Sequence, residues 1–179
     1  MGPSFSPWFT FIAPPTSDKP QLLFSTARTH LPSLRQPDQD EGLRGKWRCG
    51  LMNESITYIL LHCPFSLEIW SSMLGTRMEV YARIFEVDKV EEWLISWPKA
   101  RYHNLGGLLW GILPYAICWM LWKARNNLVF QQDVGSAVRI CKDIKGLLWH
   151  WVAISPERRH HTYGEMLANW DLVLSESWI

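Results

Sequence analysis

No two aspartates are adjacent anywhere in this chain of 179 residues. A polymerase centre needs paired aspartates on a tight strand turn to hold two metal ions, so that chemistry is not expected here. No Ser, Cys and His spacing suggests a nucleophile with its base. Charge of one sign is also scarce. Eighteen Lys and Arg against seventeen Asp and Glu leave a net charge of +1, which argues against a strongly electrostatic nucleic-acid binder. Cysteine is limited to four residues, read as reduced intracellular thiols rather than a disulfide framework. The N-terminus lacks a basic stretch followed by a continuous apolar run, so no secretory signal is expected and the protein is read as intracellular, nuclear or cytoplasmic. Convincing strand pairs are missing as well. The chain is not expected to be an enzyme.

Tryptophan is what the chain has in abundance. Twelve indoles must be buried against something or exposed as contact surface. Residues 1–43 are interrupted by Pro3, Pro7, Pro14, Pro15, Pro20, Pro32 and Pro37, which prevent long helices or central strands and predict a poorly ordered arm. Beyond Glu54 the apolar period is helical. Ile56, Ile59, Leu60 and Cys63 fall at three- and four-residue steps, as do Phe65, Ile69, Trp70 and Met73 after Pro64, which suits a first helical turn. Val87, Val90, Trp93, Leu94 and Trp97 repeat the pattern with Asp88 as N-cap. Residues 137–152 place Val138, Cys141, Ile144, Leu148 and Trp151 on one face. Thr162 to Glu165 reads as a capping box opening a last helix with Met166, Leu167, Trp170, Val173 and Leu174. The expected fold is mostly α, an irregular helical domain.

Residues 102–122 contain no Asp, Glu, Lys or Arg, a length that could span a bilayer with Lys123 and Arg125 at its flank. Gly106, Gly107, Gly111 and Pro114 break up that run, and a buried core segment is the preferred reading. Arg158-Arg159-His160-His161 reads as a surface basic loop rather than a metal or phosphate site.

Two motifs carry the functional reading. Cys49 and Met52 are followed by Glu54-Ser55, Tyr58 and His62-Cys63-Pro64-Phe65, and then by Trp70. This layout resembles the reverse-transcriptase zinc-binding region of plant non-LTR (LINE-type) retrotransposon polyproteins, whose frame reads Cys-x-x-Cys, a spacer, His, then Cys-Pro-Phe and a Trp. The second block, Trp119-x-x-Trp122-Lys123-x-Arg125-Asn126-x-x-x-Phe130, is similar to the segment that follows the knuckle in these elements. The resemblance covers residues 44–153, leaving 1–43 as the proline-rich arm and 154–179 as a C-terminal loop and helix. It implies a small zinc-knuckle segment within the helical domain, detached from its polymerase.

The resemblance places Cys49 and Cys63 at ligand positions, with His62 beside them. Met52 and Tyr58 stand where a Cys and a His are expected. A thioether is a weak zinc ligand and a phenol rarely surrenders its proton to the ion. The knuckle is therefore degenerate, and zinc is expected to be lost rather than held. Arg44, Lys46 and Arg48 with Trp47 are the nucleic-acid candidates, since cations interleaved with an aromatic can bind single strands through phosphates and stacking. Lys123 and Arg125 read as a snorkelling rim. Trp119, Trp122 and Phe130 are expected to be shielded, with Arg125 and Asn126 partly exposed. The reading is a non-catalytic retroelement-derived module with weak or lost binding of single-stranded RNA or DNA and no small-molecule substrate. The alternative is a helical protein-interaction or membrane-associated protein using its Trp-rich helix.

Overall fold

The computed structural model describes residues 55–101, 103–131 and 135–175. Every regular element among them is helical, so the fold class expected from the apolar period is the one adopted. Cys49, Met52 and the basic run Arg44–Arg48 lie outside the described residues.

The first described element is a π-turn, Tyr58–His62, closed by the Cys63 N–H donating to the Tyr58 carbonyl at 2.8 Å. Helix α1, Pro64–Leu74, starts where Pro64 needs no donor partner. Its N-cap is Cys63, whose sulfur accepts from the Ser66 N–H at 3.3 Å. Ser66, Ile69, Trp70, Met73 and Leu74 form its buried stripe. The helix stops at Gly75, which adopts φ 58, a region that costs glycine nothing. An added Cβ would also meet the end of the exposed Asp171 side chain, which can swing aside, so the positive φ is what favours glycine there.

Short elements follow: α2 over Met78–Ala82, a 3₁₀ turn over Arg83–Glu86, and α3 over Val90–Ile95. The α3 N-cap is Lys89 without a side-chain bond, not Asp88 as the sequence suggested. Glu91 and Glu92 in the first turn instead complement the helix dipole.

Helix α4, Leu105–Gln131, is the long central element. Asn104 Oδ1 accepts from the Gly107 N–H at 2.8 Å at its start. Contrary to the sequence expectation, its glycines and Pro114 do not break it. Proline at 114 leaves the carbonyl four residues earlier, on Trp110, without its helical donor. That carbonyl accepts from the Trp97 indole N–H at 3.1 Å. An indole thus replaces a backbone donor and the helix continues.

Around α4 pack α1, the π-turn, α5 (Ala137–Trp151) and α7 (Trp170–Ser175). Ser136 caps α5 by accepting from the Arg139 N–H at 3.2 Å. The buried face of α5 is Ala137, Ile140, Ile144 and Leu148. Val138, assigned to that face from sequence, is 65% exposed. Apolar character at 137, 138, 140 and 141 allows two faces about 100° per residue apart, and packing against α4 and α1 selects one.

The last helix is two helices. Thr162 and Glu165 form the expected capping box at the start of α6, Tyr163–Ala168. Asn169 interrupts it (φ −116, ψ 31), and α7 follows. The break turns Trp170 and Leu174 into the core while Leu167 and Leu172 stay exposed. The Trp170 indole donates to the Met73 carbonyl at 3.1 Å, joining α7 to α1 across most of the described chain.

Candidate metal and nucleic-acid site

Four tryptophans organise the ground on which the site stands. Trp70 and Trp93 meet edge to face at 5.5 Å, as do Trp93 and Trp97 at 5.3 Å, and Trp97 lies tilted on Trp110 at 4.5 Å. All four are buried. Buried indoles need acceptors for their N–H groups. Trp70 reaches the Leu60 carbonyl at 2.8 Å, and Trp110 the Pro98 carbonyl at 2.7 Å. Arg77, only 7% exposed, lies over the Trp110 ring at 5.4 Å and donates to the Leu74 carbonyl at 3.1 Å. Burial pushes its pKa down, and the Asp171 and Glu79 carboxylates oppose that shift.

On this ground sit the described members of the knuckle. The Cys63 thiol is buried and engaged three ways. It accepts from the Ser66 N–H, lies 3.1 Å from the Ser66 hydroxyl, and faces the Ile59 carbonyl at 3.7 Å. The Ser66 hydroxyl also donates to the Ile59 carbonyl. Cys63 therefore serves as the cap that starts α1, a role the Cys-Pro pair permits and the sequence reading did not assign. The His62 ring has Nε2 at 2.9 Å from the Ile84 carbonyl. A carbonyl only accepts, so Nε2 is the donor in this contact. That bond ties the π-turn to the 3₁₀ turn and leaves Nδ1 as the ring nitrogen not used in it. Tyr58, at the head of the π-turn, donates its backbone N–H to the Ser55 hydroxyl at 3.1 Å.

Among the described residues, no group of three or more His, Cys, Asp or Glu side chains is placed to hold a metal ion. Two of the three expected ligands, His62 and Cys63, are neighbours in sequence but are anchored to different partners, the 3₁₀ turn and the cap. Cys49, the third, lies outside the described residues.

The second motif maps onto the outer half of α4. Trp119 and Trp122 stack at 5.3 Å with 27° between their planes, one helical turn apart. Both are half-buried, and Arg125 and Asn126 are partly exposed as expected. Lys123 is exposed. Phe130, expected to be shielded, is 80% exposed. Its position follows from spacing. Leu113, Ile117, Met120, Leu121, Ala124 and Leu128 hold the buried side of α4, and Phe130 is displaced about 200° from Leu128 around the axis. Leu105–Phe130 is long and apolar enough to cross a membrane, with mean hydropathy 1.5, and 61% of the qualifying window is buried within the protein.

Compared with protein-family models, curated proteins and solved structures, the chain matches none.

Proposed function

We propose that this chain is a non-catalytic module of the reverse-transcriptase zinc-binding type. It keeps a helical scaffold and weak binding of single-stranded RNA or DNA, with a metal site that has lost its full ligand set. The observation that supports this reading is the packing of the elements that hold the two motif blocks. The π-turn and α1, which hold Tyr58, His62, Cys63 and Trp70, both pack on α4, which holds Trp119 to Phe130. The elements that carry the two resembling segments pack against each other, which is compatible with both belonging to one domain.

The basic run Arg44, Lys46 and Arg48 with Trp47 is the proposed strand contact. Full-length protein should retain labelled single-stranded RNA at about 50 mM salt and release it near about 200 mM. Three phosphate contacts give a salt slope of about −2 on a single strand. Absence of retention at the lower salt would overturn the binding part of the reading.

A second reading draws on the 80% exposure of Phe130. Phe130 shares a helix face with the half-buried Trp119 and Trp122, and such an apolar strip suits a helical protein-interaction or membrane-associated surface. Phe130→Ser distinguishes the two. It should leave RNA retention intact and weaken any self-association or detergent dependence.

A further inference from the structure

We propose that the outer face of α5, together with Arg158 and Arg159, is a second contact surface for single-stranded nucleic acid. This inference rests on the nucleic-acid reading above, and it names a surface outside the two motif blocks that carry the resemblance.

Charge is distributed unevenly along the chain. Between Gly135 and His161 there are five Lys and Arg (Arg139, Lys142, Lys145, Arg158, Arg159) against two carboxylates, Asp143 and Glu157, while the whole chain carries +1. Three histidines, His150, His160 and His161, share the same stretch. The excess is local, and an anionic partner responds to local charge rather than to the net value.

The fold places several of these residues on one side of α5. The core face of α5 is Ala137, Ile140, Ile144 and Leu148. At 100° per residue the opposite face carries Arg139, Lys142, Gly146, Trp149 and His150. Arg139, Lys142 and His150 are exposed, and Trp149 is half-buried. Lys145 points elsewhere, its ammonium 4.8 Å from the Trp170 ring centre. From Arg139 to Trp149 the face runs ~15 Å at 1.5 Å per residue.

Beyond α5 the chain turns back, and its 3₁₀ turn Pro156–Arg158 sets the Arg158 guanidinium over the Trp149 ring at 4.1 Å. Tyr163, exposed, lies 6.0 Å from the same indole. Its hydroxyl passes over Gly146, at 3.5 Å from where a Cβ would stand. Cation, indole and phenol thus form a ledge at one end of the face, with exposed Arg139 and Lys142 at the other. Of the two carboxylates, Glu157 accepts from the Ser155 hydroxyl, and Asp143 is exposed beside Lys142. A stacking platform followed by spaced cations is what a flexible strand needs: bases on the exposed Tyr163 ring and the outer face of the Arg158 guanidinium, phosphates on Arg139 and Lys142. A folded duplex would expose its phosphates but not its base faces, so the ledge favours a single strand. Arg158, part of a run that reads from sequence as a plain surface loop, joins this surface because its guanidinium lies over Trp149.

The test uses the 179-residue chain, labelled oligo(U) and, as a featureless polyanion, heparin. Arg139→Ala with Lys142→Ala and Arg159→Ala removes three exposed cations and should fold. It should lower oligo(U) affinity at least about tenfold at low salt and make the salt slope shallower by about 2. Tyr163→Ala and Arg158→Gln should each weaken oligo(U) more than heparin, because stacking adds nothing to heparin. If the α5 triple variant binds as the wild type does while Arg44→Ala with Lys46→Ala and Arg48→Ala abolishes retention, the N-terminal reading stands and this surface is overturned. Equal weakening toward oligo(U) and heparin in the Tyr163 and Arg158 variants overturns the single-strand assignment. No oligo(U) binding by the wild type at low salt overturns both proposals together.

Discussion

The indole N–H of Trp97 donates to the carbonyl of Trp110 at 3.1 Å, the carbonyl that Pro114 leaves without a helical donor. One side chain from the loop after α3 thereby repairs the backbone of α4, and the two rings lie against each other at 4.5 Å. The Trp110 indole returns the contact by donating to the Pro98 carbonyl at 2.7 Å.

This repair predicts a specific coupling. Trp97→Phe keeps most of the ring but strands a buried carbonyl, at a cost of about 1–3 kcal/mol from the lost bond plus the smaller ring. In a Pro114→Ala background the backbone regains an N–H at that position, which can serve the same carbonyl, and the cost of Trp97→Phe should shrink. Urea denaturation of the four proteins measures the coupling. Strictly additive losses would mean the indole bond does not substitute for the missing donor.

Two glycines of α4 should respond oppositely to alanine. At Gly111 an added Cβ meets nothing within 4 Å, so Gly111→Ala should stabilise by about 0.5–1 kcal/mol through helix propensity. At Gly106 the Cβ would overlap the Val173 carbonyl of α7. Gly106→Ala should destabilise and displace α7, lowering the thermal midpoint and quickening proteolysis after residue 168. Equal effects at both sites would contradict the close approach of α4 and α7.

Cys118 gives a test through pH. Part of the residue reaches solvent, yet desolvation pushes its thiol from 9.0 up to about 12. The unfolded chain therefore ionises first. The contribution is fully present below about pH 9 and is lost as pH climbs toward about 12, at no more than ~1.4 kcal/mol per unit. Tyr115, also raised by burial and by Cys118, acts in the same direction. Lys145, lowered chiefly by burial, acts in the opposite one, since the unfolded chain holds that proton to higher pH. Comparing wild type with Cys118→Ala isolates the thiol. The stability gap between them should move in favour of the variant between about pH 8.5 and 10.5, and iodoacetamide should label Cys118 slowly until the protein unfolds. A pH-independent gap with rapid native labelling would contradict a desolvated thiol.

For the knuckle, purified protein should contain less than one zinc per chain, and a chelator should leave its thermal midpoint unchanged. Met52→Cys with Tyr58→His should raise zinc content toward one per chain, because it restores the thiolate and imidazole that zinc prefers. Wild-type protein that carries one zinc and unfolds in chelator would overturn the proposed loss of the site.

The sequence by itself determined the helices and much of their capping. Pro64 opened α1, Thr162 and Glu165 opened α6, and the period of Ile69, Trp70 and Met73 marked a core stripe, because each of these signals acts within one or two turns of chain. Tertiary structure decided what depended on neighbours distant in sequence. A helix with apolar residues on two sides can bury only one of them, so Val138 and Phe130 went to solvent when α5 and α4 packed by their other faces. Pro114 was tolerated because Trp97, seventeen positions earlier, brought a donor to its carbonyl gap. Cys63, marked by sequence as a metal ligand, gained a cap role from Ser66. Trp149 and Arg158 became neighbours only when the chain turned back over α5. Local propensity sets where helices begin and end, while side-chain partners across the fold set which faces are buried and which are left to meet other molecules.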